Sequence, residues 1–232
     1  FYPEYRRIDY IRQHLLAINP RLKTLLLSAT VTKKTKSDIT VRTFHNEGYE
    51  LIDSDKTRDD LTLAVEDYGF EDKKRFRNLI RRVRRRLGKG EQGVVYCLRI
   101  KKYLQSYNSC EEVEDALKAD YPVAIYSGDL GGEDRNIITE KFDSGEIKLV
   151  IATKAFGLGI NKPDIRFVYH LGHPKNLDSL YQEFSRGGRD GKGCKAVLFS
   201  MIYDYSIHKK DIQSDILSAH NAKERLQLML MG

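Results

Sequence analysis

The chain has 232 residues, of which 40 are lysine or arginine and 33 are aspartate or glutamate, so its formal net charge is +7. This length suffices for one or two domains with a buried core. A positive balance favours a polyanionic partner such as nucleic acid, although charge alone fits an ordinary basic protein equally well. Because residues 1–4 lack a basic stretch before an apolar segment and no run of about 18 apolar residues occurs, we expect neither a signal peptide nor a membrane partner.

Three cysteines, Cys97, Cys110 and Cys194, are spread along the chain. An odd and sparse count argues against a disulfide framework and for a reducing compartment, so we expect an intracellular protein of the cytoplasm or nucleus. No Cys-x-x-Cys pair occurs, and the six histidines show no metal-ligand spacing. We therefore predict that this chain binds no metal ion.

The first 40 residues predict a helix, a buried strand and a second helix. Apolar residues recur at helical spacing over residues 6–18, and the Asn-Pro pair that follows is expected to end that helix. The apolar run at 24–27 predicts a strand that is buried on both faces and opens at its C-terminal end onto a site. Residues 32–39 predict the second helix. The apolar run ends in three small residues, Ser28, Ala29 and Thr30.

The middle of the chain is less regular. Residues 40–70 are mixed and polar, with short candidate strands at 49–53 and 61–65, and we interpret them as a crossing between two domains. Residues 71–86 predict a helix with apolar positions at helical spacing and an otherwise cationic surface. That basic face is either solvated or a surface for phosphate contact, and the sequence leaves both readings open. Its cations are Lys73, Lys74, Arg75, Arg77, Arg81, Arg82, Arg84, Arg85 and Arg86.

From residue 93 onward, apolar strands alternate with amphipathic helices. This alternation predicts an α/β fold in which a parallel sheet lies between two layers of helices. The predicted strands are 93–97, 122–126, 148–152, 166–170 and 196–199. The predicted helices are 99–106, 110–118, 131–143 and 177–186, followed by a trailing helix over 204–232.

The loops after these strands carry small and basic residues. In open parallel sheets, sites form at the carboxyl ends of strands, where small residues let backbone amides approach a phosphate closely. Thr153 places a hydroxyl in one such loop and Lys154 a positive charge, ahead of a Gly-Leu-Gly turn that includes Gly159 and a break at Asn161. The comparable positions after two other strands are Arg99, Ser127 and Gly128.

Two arginines, Arg186 and Arg189, lie three residues apart among glycines at the end of a predicted helix. A planar and permanently charged guanidinium suits the γ-phosphate of a nucleotide, where charge develops during phosphoryl transfer. The alternative is that one arginine caps the helix C-terminus or pairs with Glu183 or Asp190.

Taken in order, these segments resemble the second RecA-like domain of RecQ-type superfamily 2 helicases. The segments that carry the resemblance are 93–98, 124–128, 142–153, 155–168 and 181–191. Residues 1–7 and 28–30 resemble the end of the first RecA-like domain, including motif III. The resemblance implies four regions: the end of the first RecA-like domain at 1–45, a crossing segment with the basic helix at 46–92, the second RecA-like domain at 93–205, and a trailing helical segment at 206–232.

The resemblance also implies roles for individual residues. In motif VI, Arg189 and Arg186 would reach the γ-phosphate as arginine fingers, beside Gln182. Nucleotide binding is implied for Gly159, Asn161 and Arg189. Coupling of hydrolysis to lobe movement is implied for Ser28, Ala29 and Thr30. Contacts to the DNA backbone are implied for Ser127, Gly128, Thr153, Lys154 and Arg99. The complete enzyme would use ATP and Mg²⁺, unwind DNA with 3′ to 5′ polarity and serve repair and recombination.

Several departures limit what the resemblance implies. Asn161 stands where relatives carry aspartate, one residue is missing near Ser127, and Ser185 and Gly188 replace the commoner glycine and alanine of motif VI. No P-loop, no acidic Mg²⁺ motif, no four-cysteine zinc module and no winged helix occur in these 232 residues. We therefore expect a piece of a longer helicase whose missing first RecA-like domain is its partner. By itself, the chain should neither bind nor hydrolyse ATP.

Two other functions remain open from the sequence. One is a non-enzymatic DNA-binding or regulatory module that kept the fold and lost the motor, which the missing P-loop would also fit. Retention of Gln182, Arg186 and Arg189 favours the motor, because a scaffold does not need them. The other is an RNA helicase of the same superfamily, which competition between DNA and RNA for binding would distinguish.

Overall fold

The structure is a computed structural model of the chain. It divides into two compact units, Phe1–Thr57 and Arg58–Gly232. The residues that the structure describes are 8–27, 36–37, 40–41, 48–52, 58–103, 106–154, 156, 162–174 and 177–204. In this part of the chain, no helix is both long enough and apolar enough to cross a membrane.

The first unit begins with helix α1, Ile8–Ile18, which confirms the predicted helix. Its end follows from the sequence, since Asn19-Pro20 disfavours a further helical turn. The chain then turns, with the Asn19 side chain accepting a hydrogen bond from the Arg21 amide at 3.0 Å. None of the α1 side chains is buried.

The predicted buried strand at 24–27 is wrong. These residues have no regular secondary structure, and Leu25 and Leu27 are 75% and 85% exposed. A strand buried on both faces needs a neighbouring strand on each side, and the described residues of this unit contain none. Residues 48–52 are also irregular, so the candidate strand at 49–53 is not supported there. Of the predicted helix at 32–39, only residues 36–37 are described, and they are helical. Ser28, Ala29 and Thr30 lie outside the described residues.

The second unit is built on six strands, and every pairing between them is parallel. The strands are β1, Leu61–Asp67; β2, Gln92–Cys97; β3, Val123–Tyr126; β4, Leu149–Ala152; β5, Ile165–Leu171; and β6, Cys194–Ser200. Their order across the sheet is β1-β6-β5-β2-β4-β3. Five of them confirm the strands predicted after residue 93, and the predicted α/β fold is confirmed with them.

Helices cover both faces of this sheet. They are α2, Asp72–Leu87; α3, Cys110–Leu117; α4, Gly132–Asp143; and α5, Leu177–Phe184. Alternate residues of a strand point to opposite faces, so Val95 packs with one helix pair and Val94 with the other. Leu79 and Leu117 bring α2 and α3 onto the Val95 face, whereas the core on the Val94 face includes Phe142 and Phe184 from α4 and α5.

The helix predicted over 99–106 is not present in its described residues. Arg99 instead forms an isolated bridge with Ser109, and Tyr103 forms another with Ser106. The Arg99 carbonyl accepts a hydrogen bond from the Cys110 amide at 2.8 Å. These backbone groups are therefore engaged across the loop and not along a helix.

The structure also differs from the proposed boundary at residue 93. Strand β1 pairs with β6 along its whole length, from Leu61 opposite Cys194 to Asp67 opposite Ser200. The segment at 58–92 is thus part of the same sheet unit and not a crossing between domains. The sequence around β1 is mixed and polar because β1 is an edge strand, and most of its side chains are exposed or half-buried. The trailing helix predicted beyond 204 lies outside the described residues.

Candidate nucleotide and nucleic-acid site

The two singled-out arginines lie in a tight turn after α5, residues 185–191, called the arginine turn below. The Gly188 amide donates to the Ile165 carbonyl at 2.9 Å, which fastens the turn to the start of β5. Gly188 has a positive φ of 65°, a conformation that favours glycine. A Cβ at Gly187 would lie 2.1 Å from the Cys194 sulfur, so any side chain there would clash. The glycines therefore bring this turn onto the sheet.

Positive charge is concentrated at the arginine turn. The Arg189 Nε donates to the Ser185 carbonyl at 3.4 Å, so the alternative of a helix-capping arginine is met in part. Partial burial, followed by repulsion from Arg186 and Arg58, lowers the pKa of Arg189. Asp190 pairs with Arg166. Among the described residues, no carboxylate lies within ion-pair distance of Arg186. A cluster of like charges of this kind favours an anionic ligand.

Behind the turn, a buried histidine and a half-buried glutamate connect β5 to α5. The His170 Nε2 lies 3.2 Å from the Glu183 Oε2. Burial raises the pKa of Glu183 to about 7, with Arg186 acting in the opposite direction. Burial, helped by the nearby His173, lowers the pKa of His170 to about 3. At neutral pH the imidazole is therefore uncharged, and the carboxyl group is close to half-protonated.

Tyr96 of β2 connects this region to the loop after β4. Its hydroxyl donates to the Phe156 carbonyl at 2.9 Å, and its ring stacks on His170 with the centroids 4.8 Å apart. Burial raises the pKa of Tyr96, and the nearby positive charge of Arg186 opposes that shift, so the phenol remains protonated. Tyr96 thus lies near Arg186 and donates to the loop in which Thr153 lies.

The structure brings the predicted DNA-backbone residues to neighbouring strand ends. Arg99 follows β2, Gly128 follows β3 and Thr153 follows β4, and these three strands are adjacent in the sheet. The Thr153 amide donates to the Tyr126 carbonyl at 3.4 Å, which joins two of the loops. The residues differ in access: Gly128 and Lys154 are exposed and Thr153 is half-buried. The other two are less available, since Ser127 is only 4% exposed and Arg99 lies over the Tyr103 ring at 4.8 Å.

A sequence model for the helicase conserved C-terminal domain matches residues 71–191, just over half of the chain. The chain belongs to this family. Its curated relatives include the ATP-dependent DNA helicase hus2/rqh1 of Schizosaccharomyces pombe, 32% identical over 235 residues that cover 99% of this chain and 16% of that protein. The RecQ-like DNA helicase BLM of Xenopus laevis is 29% identical, covering 93% of this chain and 15% of that protein.

The resemblance to RecQ-type helicases is thus confirmed. A solved structure of Mss116p bound to ssRNA and AMP-PNP has a TM-score of 0.63 at 18% identity, covering 87% of this chain and 41% of that one, and it supports the fold alone. The chain spans about a sixth of the length of the two curated relatives described above. The match therefore concerns one part of each of those two helicases.

Several predicted positions of the helicase domain remain untested. Gln182 is exposed on α5, and its carbonyl accepts a hydrogen bond from the Ser185 hydroxyl at 2.8 Å. Gly159 and Asn161 lie outside the described residues, so their predicted contacts with a nucleotide stay predictions. Within the described ranges, no group of three or more His, Cys, Asp or Glu side chains could hold a metal ion.

The basic helix α2 divides into paired and unpaired cations. Three of its arginines form ion pairs at the surface: Arg82 with Glu66, Arg84 with Asp120 and Arg86 with Glu91. A fourth arginine, Arg75, is also paired but is fully buried, whereas the sequence pattern predicts that it lies on the cationic face. In the part of the chain that is described, four exposed cations have no ion pair: Lys73, Arg77, Arg81 and Arg85.

The sequence alone does not single out two buried polar side chains near the arginine turn, Tyr96 and His170. Both lie on apolar strands, and the pattern predicts only that they are strand residues. Their signal is weak but present: a polar aromatic residue near the carboxyl end of a buried parallel strand needs a partner for its polar atom. Identifying that partner requires the order of strands in the sheet.

Proposed function

We propose that this chain supplies the second RecA-like lobe of an ATP-dependent DNA helicase of the RecQ type. The observation that carries the proposal is Arg186, a partly buried cation without a carboxylate partner in the described residues, set beside Arg189, whose positive charge repels it. A nucleotide γ-phosphate would relieve that repulsion, because its oxygens accept the paired hydrogen bonds that a guanidinium donates. Charge that develops in phosphoryl transfer would strengthen the interaction further.

The bound nucleotide and its Mg²⁺ would be held mainly by a first RecA-like lobe. The 232 residues contain no P-loop. In its described residues, the chain contributes positively charged groups and no cluster of acidic, histidine or cysteine side chains that could hold a metal ion. Its own part in the reaction would be to present Arg186 and Arg189 in fixed positions. Preorganised charges of this kind need no rearrangement when the phosphoryl group is transferred.

For the nucleic acid, we propose that Gly128, Thr153 and Lys154 contact the backbone of one DNA strand. They lie at the ends of adjacent strands, and two of the three are exposed. Tyr96 would connect this contact to Arg186, since its hydroxyl lies near the Arg186 charge and donates to the Phe156 carbonyl. Unwinding with 3′ to 5′ polarity, a role in repair and recombination, and a location in the cytoplasm or nucleus are extensions of this proposal drawn from family resemblance.

Steady-state hydrolysis of ATP by the complete protein that contains this chain tests the proposal. Arg189→Ala and Arg186→Ala should each lower the DNA-stimulated kcat by about 10³-fold, the usual contribution of an arginine finger, while the KM for ATP changes little. The matched control is Arg84→Ala, which removes an exposed arginine of α2 that is already ion-paired with Asp120. Wild-type turnover in both turn variants would refute the proposal, as would robust DNA-stimulated hydrolysis by the 232-residue chain alone.

The choice of DNA over RNA needs its own experiment. Single-stranded DNA and RNA of one sequence should be competed for the complete protein at fixed salt, because nucleic-acid affinities are comparable only at one ionic strength. Tighter binding of DNA is the expected result. Tighter binding of RNA would assign the protein to an RNA helicase, and DNA binding without any ATP hydrolysis would assign it to a non-enzymatic module.

A further inference from the structure

Arg58, which lies just before β1, reaches the arginine turn more than a hundred residues further along the chain. Its two terminal nitrogens donate to the Ser185 carbonyl at 3.1 Å and to the Gly187 carbonyl at 2.8 Å. These carbonyls belong to the residues on either side of Arg186. The Ser185 carbonyl is also the acceptor for the Arg189 Nε. A single guanidinium therefore holds the backbone that carries both proposed arginine fingers.

Asp60 fixes Arg58 in this position. Its carboxylate accepts from the Arg58 Nε at 2.7 Å and pairs with a terminal nitrogen of the same guanidinium. Its backbone carbonyl accepts from the Cys194 amide at 2.9 Å, which ties it to the start of β6. The Asp60 carboxylate also lies against Gly188, where an added Cβ would come within 3.0 Å of it. Arg58 is thus held from one side by Asp60 and holds the arginine turn on the other.

We propose that Arg58 is a positioning residue that sets the geometry of Arg186 and Arg189 for the γ-phosphate. The proposal rests on the function proposed above for those two arginines. It adds a residue outside the part of the chain matched by the family model, which begins at residue 71. Lysine cannot replace Arg58, because an ammonium has only three donors, whereas the planar guanidinium makes four hydrogen bonds, to two carbonyls and to both oxygens of a carboxylate.

The effect of Arg58 on the turn comes mainly from alignment. Its charge adds to the repulsion at Arg189, but the paired Asp60 carboxylate balances that charge. The positions of Arg186 and Arg189 matter because a small displacement of a charged group removes much of the stabilisation that it gives to a transition state. Loosening the turn should consequently slow turnover more than it weakens nucleotide binding.

Amide hydrogen exchange of the 232-residue chain tests the clamp directly. In Arg58→Lys, the Gly188 and Asp190 amides, which donate to the Ile165 and Pro163 carbonyls, should exchange at least tenfold faster. Amides of the central strands β2 and β4 should keep their wild-type rates. The matched control is Arg84→Lys, since Arg84 likewise donates to a backbone carbonyl and a carboxylate, at 2.9 and 3.1 Å, but between α2 and α3.

Hydrolysis by the complete protein then tests the consequence. Arg58→Lys should lower kcat about tenfold or more with little change in the KM for ATP, and Asp60→Asn should act in the same direction more weakly. Arg84→Lys should leave both constants unchanged. Unaltered exchange at the turn in Arg58→Lys would overturn the proposal, and so would faster exchange with an unchanged kcat. Unaltered kcat in Arg186→Ala and Arg189→Ala would instead refute the function proposed for the turn.

Discussion

Two arginines, Arg75 of α2 and Arg186 of the arginine turn, differ in what surrounds their charge. Arg75 is fully buried and donates to both carboxylate oxygens of Asp204, at 2.9 and 3.0 Å, and to Asp72 at 2.7 Å. Arg186 lies near the Tyr96 phenol and near Glu183, whose raised pKa leaves it close to half-protonated at neutral pH. Neither Nε has a hydrogen-bond partner, so the difference lies in the terminal nitrogens. The first arginine has its counter-charges within the fold, and the second keeps its capacity to bind an anion.

The largest expected effect is on stability at Arg75. Arg75→Met or Asp204→Asn should lower the free energy of unfolding by about 3–5 kcal/mol, because either change leaves a buried charge or amide without its partner. Arg186→Met should change it by less than about 1 kcal/mol. Urea denaturation followed by circular dichroism measures all three. A similar loss of stability in Arg186→Met would contradict this difference, since Arg186 would then stabilise the fold as Arg75 does.

The second expected effect concerns packing under the arginine turn. Gly187→Ala should cost about 1–3 kcal/mol, because its Cβ would lie 2.1 Å from the Cys194 sulfur. Gly132→Ala is the control: it lies in α4 with nothing within 4 Å of an added Cβ, and alanine favours a helix. Cys194→Ala should restore part of the loss in the double variant. An unchanged free energy of unfolding in Gly187→Ala would contradict the close packing of the turn against Cys194.

A pH series sharpens the comparison at the His170–Glu183 pair. The raised pKa of Glu183, about 7, means that its contribution to stability is present below about pH 4.5 and is lost as the pH rises towards 7. The lowered pKa of His170, about 3, means the reverse, since stability is lost as the pH falls below about 6.5. The two contributions oppose each other between about pH 4.5 and 6.5.

In Glu183→Gln, only the contribution of His170 to the pH dependence of stability should therefore remain. Between about pH 4.5 and 6.5 the free energy of unfolding of this variant should rise with pH more steeply than that of the wild type. Glu146→Gln, at an exposed position in an ion pair with Lys141, provides the control. Denaturant unfolding at several pH values gives both slopes. Parallel curves for Glu183→Gln and the wild type would contradict the assignment of a proton to this carboxyl group.

The smallest expected effect applies the same comparison to α2. If unpaired arginines bind anions, reversing Arg77, Arg81 and Arg85 to glutamate should reduce the salt slope of single-stranded DNA binding by roughly 2, at about 0.7 per phosphate contact. Reversal of Lys118 and Lys141, which are already ion-paired, should change it less. Binding is measured by fluorescence anisotropy over a range of salt. An unchanged slope would leave the helix as a solvated face.

The parallel sheet and its helices could be predicted because their signal is local. Each buried strand after residue 93 is a continuous apolar run, and each helix has its own periodicity. Edge strand β1 could be located at 61–65, but its membership of the sheet could not, because only its pairing with β6 reveals it. The strand prediction at 24–27 is wrong for a related reason. A strand is buried only when other strands flank it, and a run of leucines does not show whether such strands exist.

The site was predictable to a different degree. The glycines around Arg186 and Arg189 are visible in the sequence, because tight turns and close approach need them. Arg58 was not, since its partners are backbone carbonyls at the other end of the unit and any residue type can supply those. Likewise, the sequence gives no sign that Arg75 is buried among eight other cations, because its partner Asp204 lies beyond the last strand.

The place of β1 at the sheet edge has a practical consequence for anyone who expresses this region. A truncated domain that begins at residue 71, where the family match begins, would lack both β1 and Arg58. Strand β6, with Ala196, Val197 and Leu198 in its centre, would then offer a free row of backbone donors and acceptors. Exposed apolar edges of this kind recruit further strands, so such a product should aggregate where one beginning before residue 58 stays monodisperse.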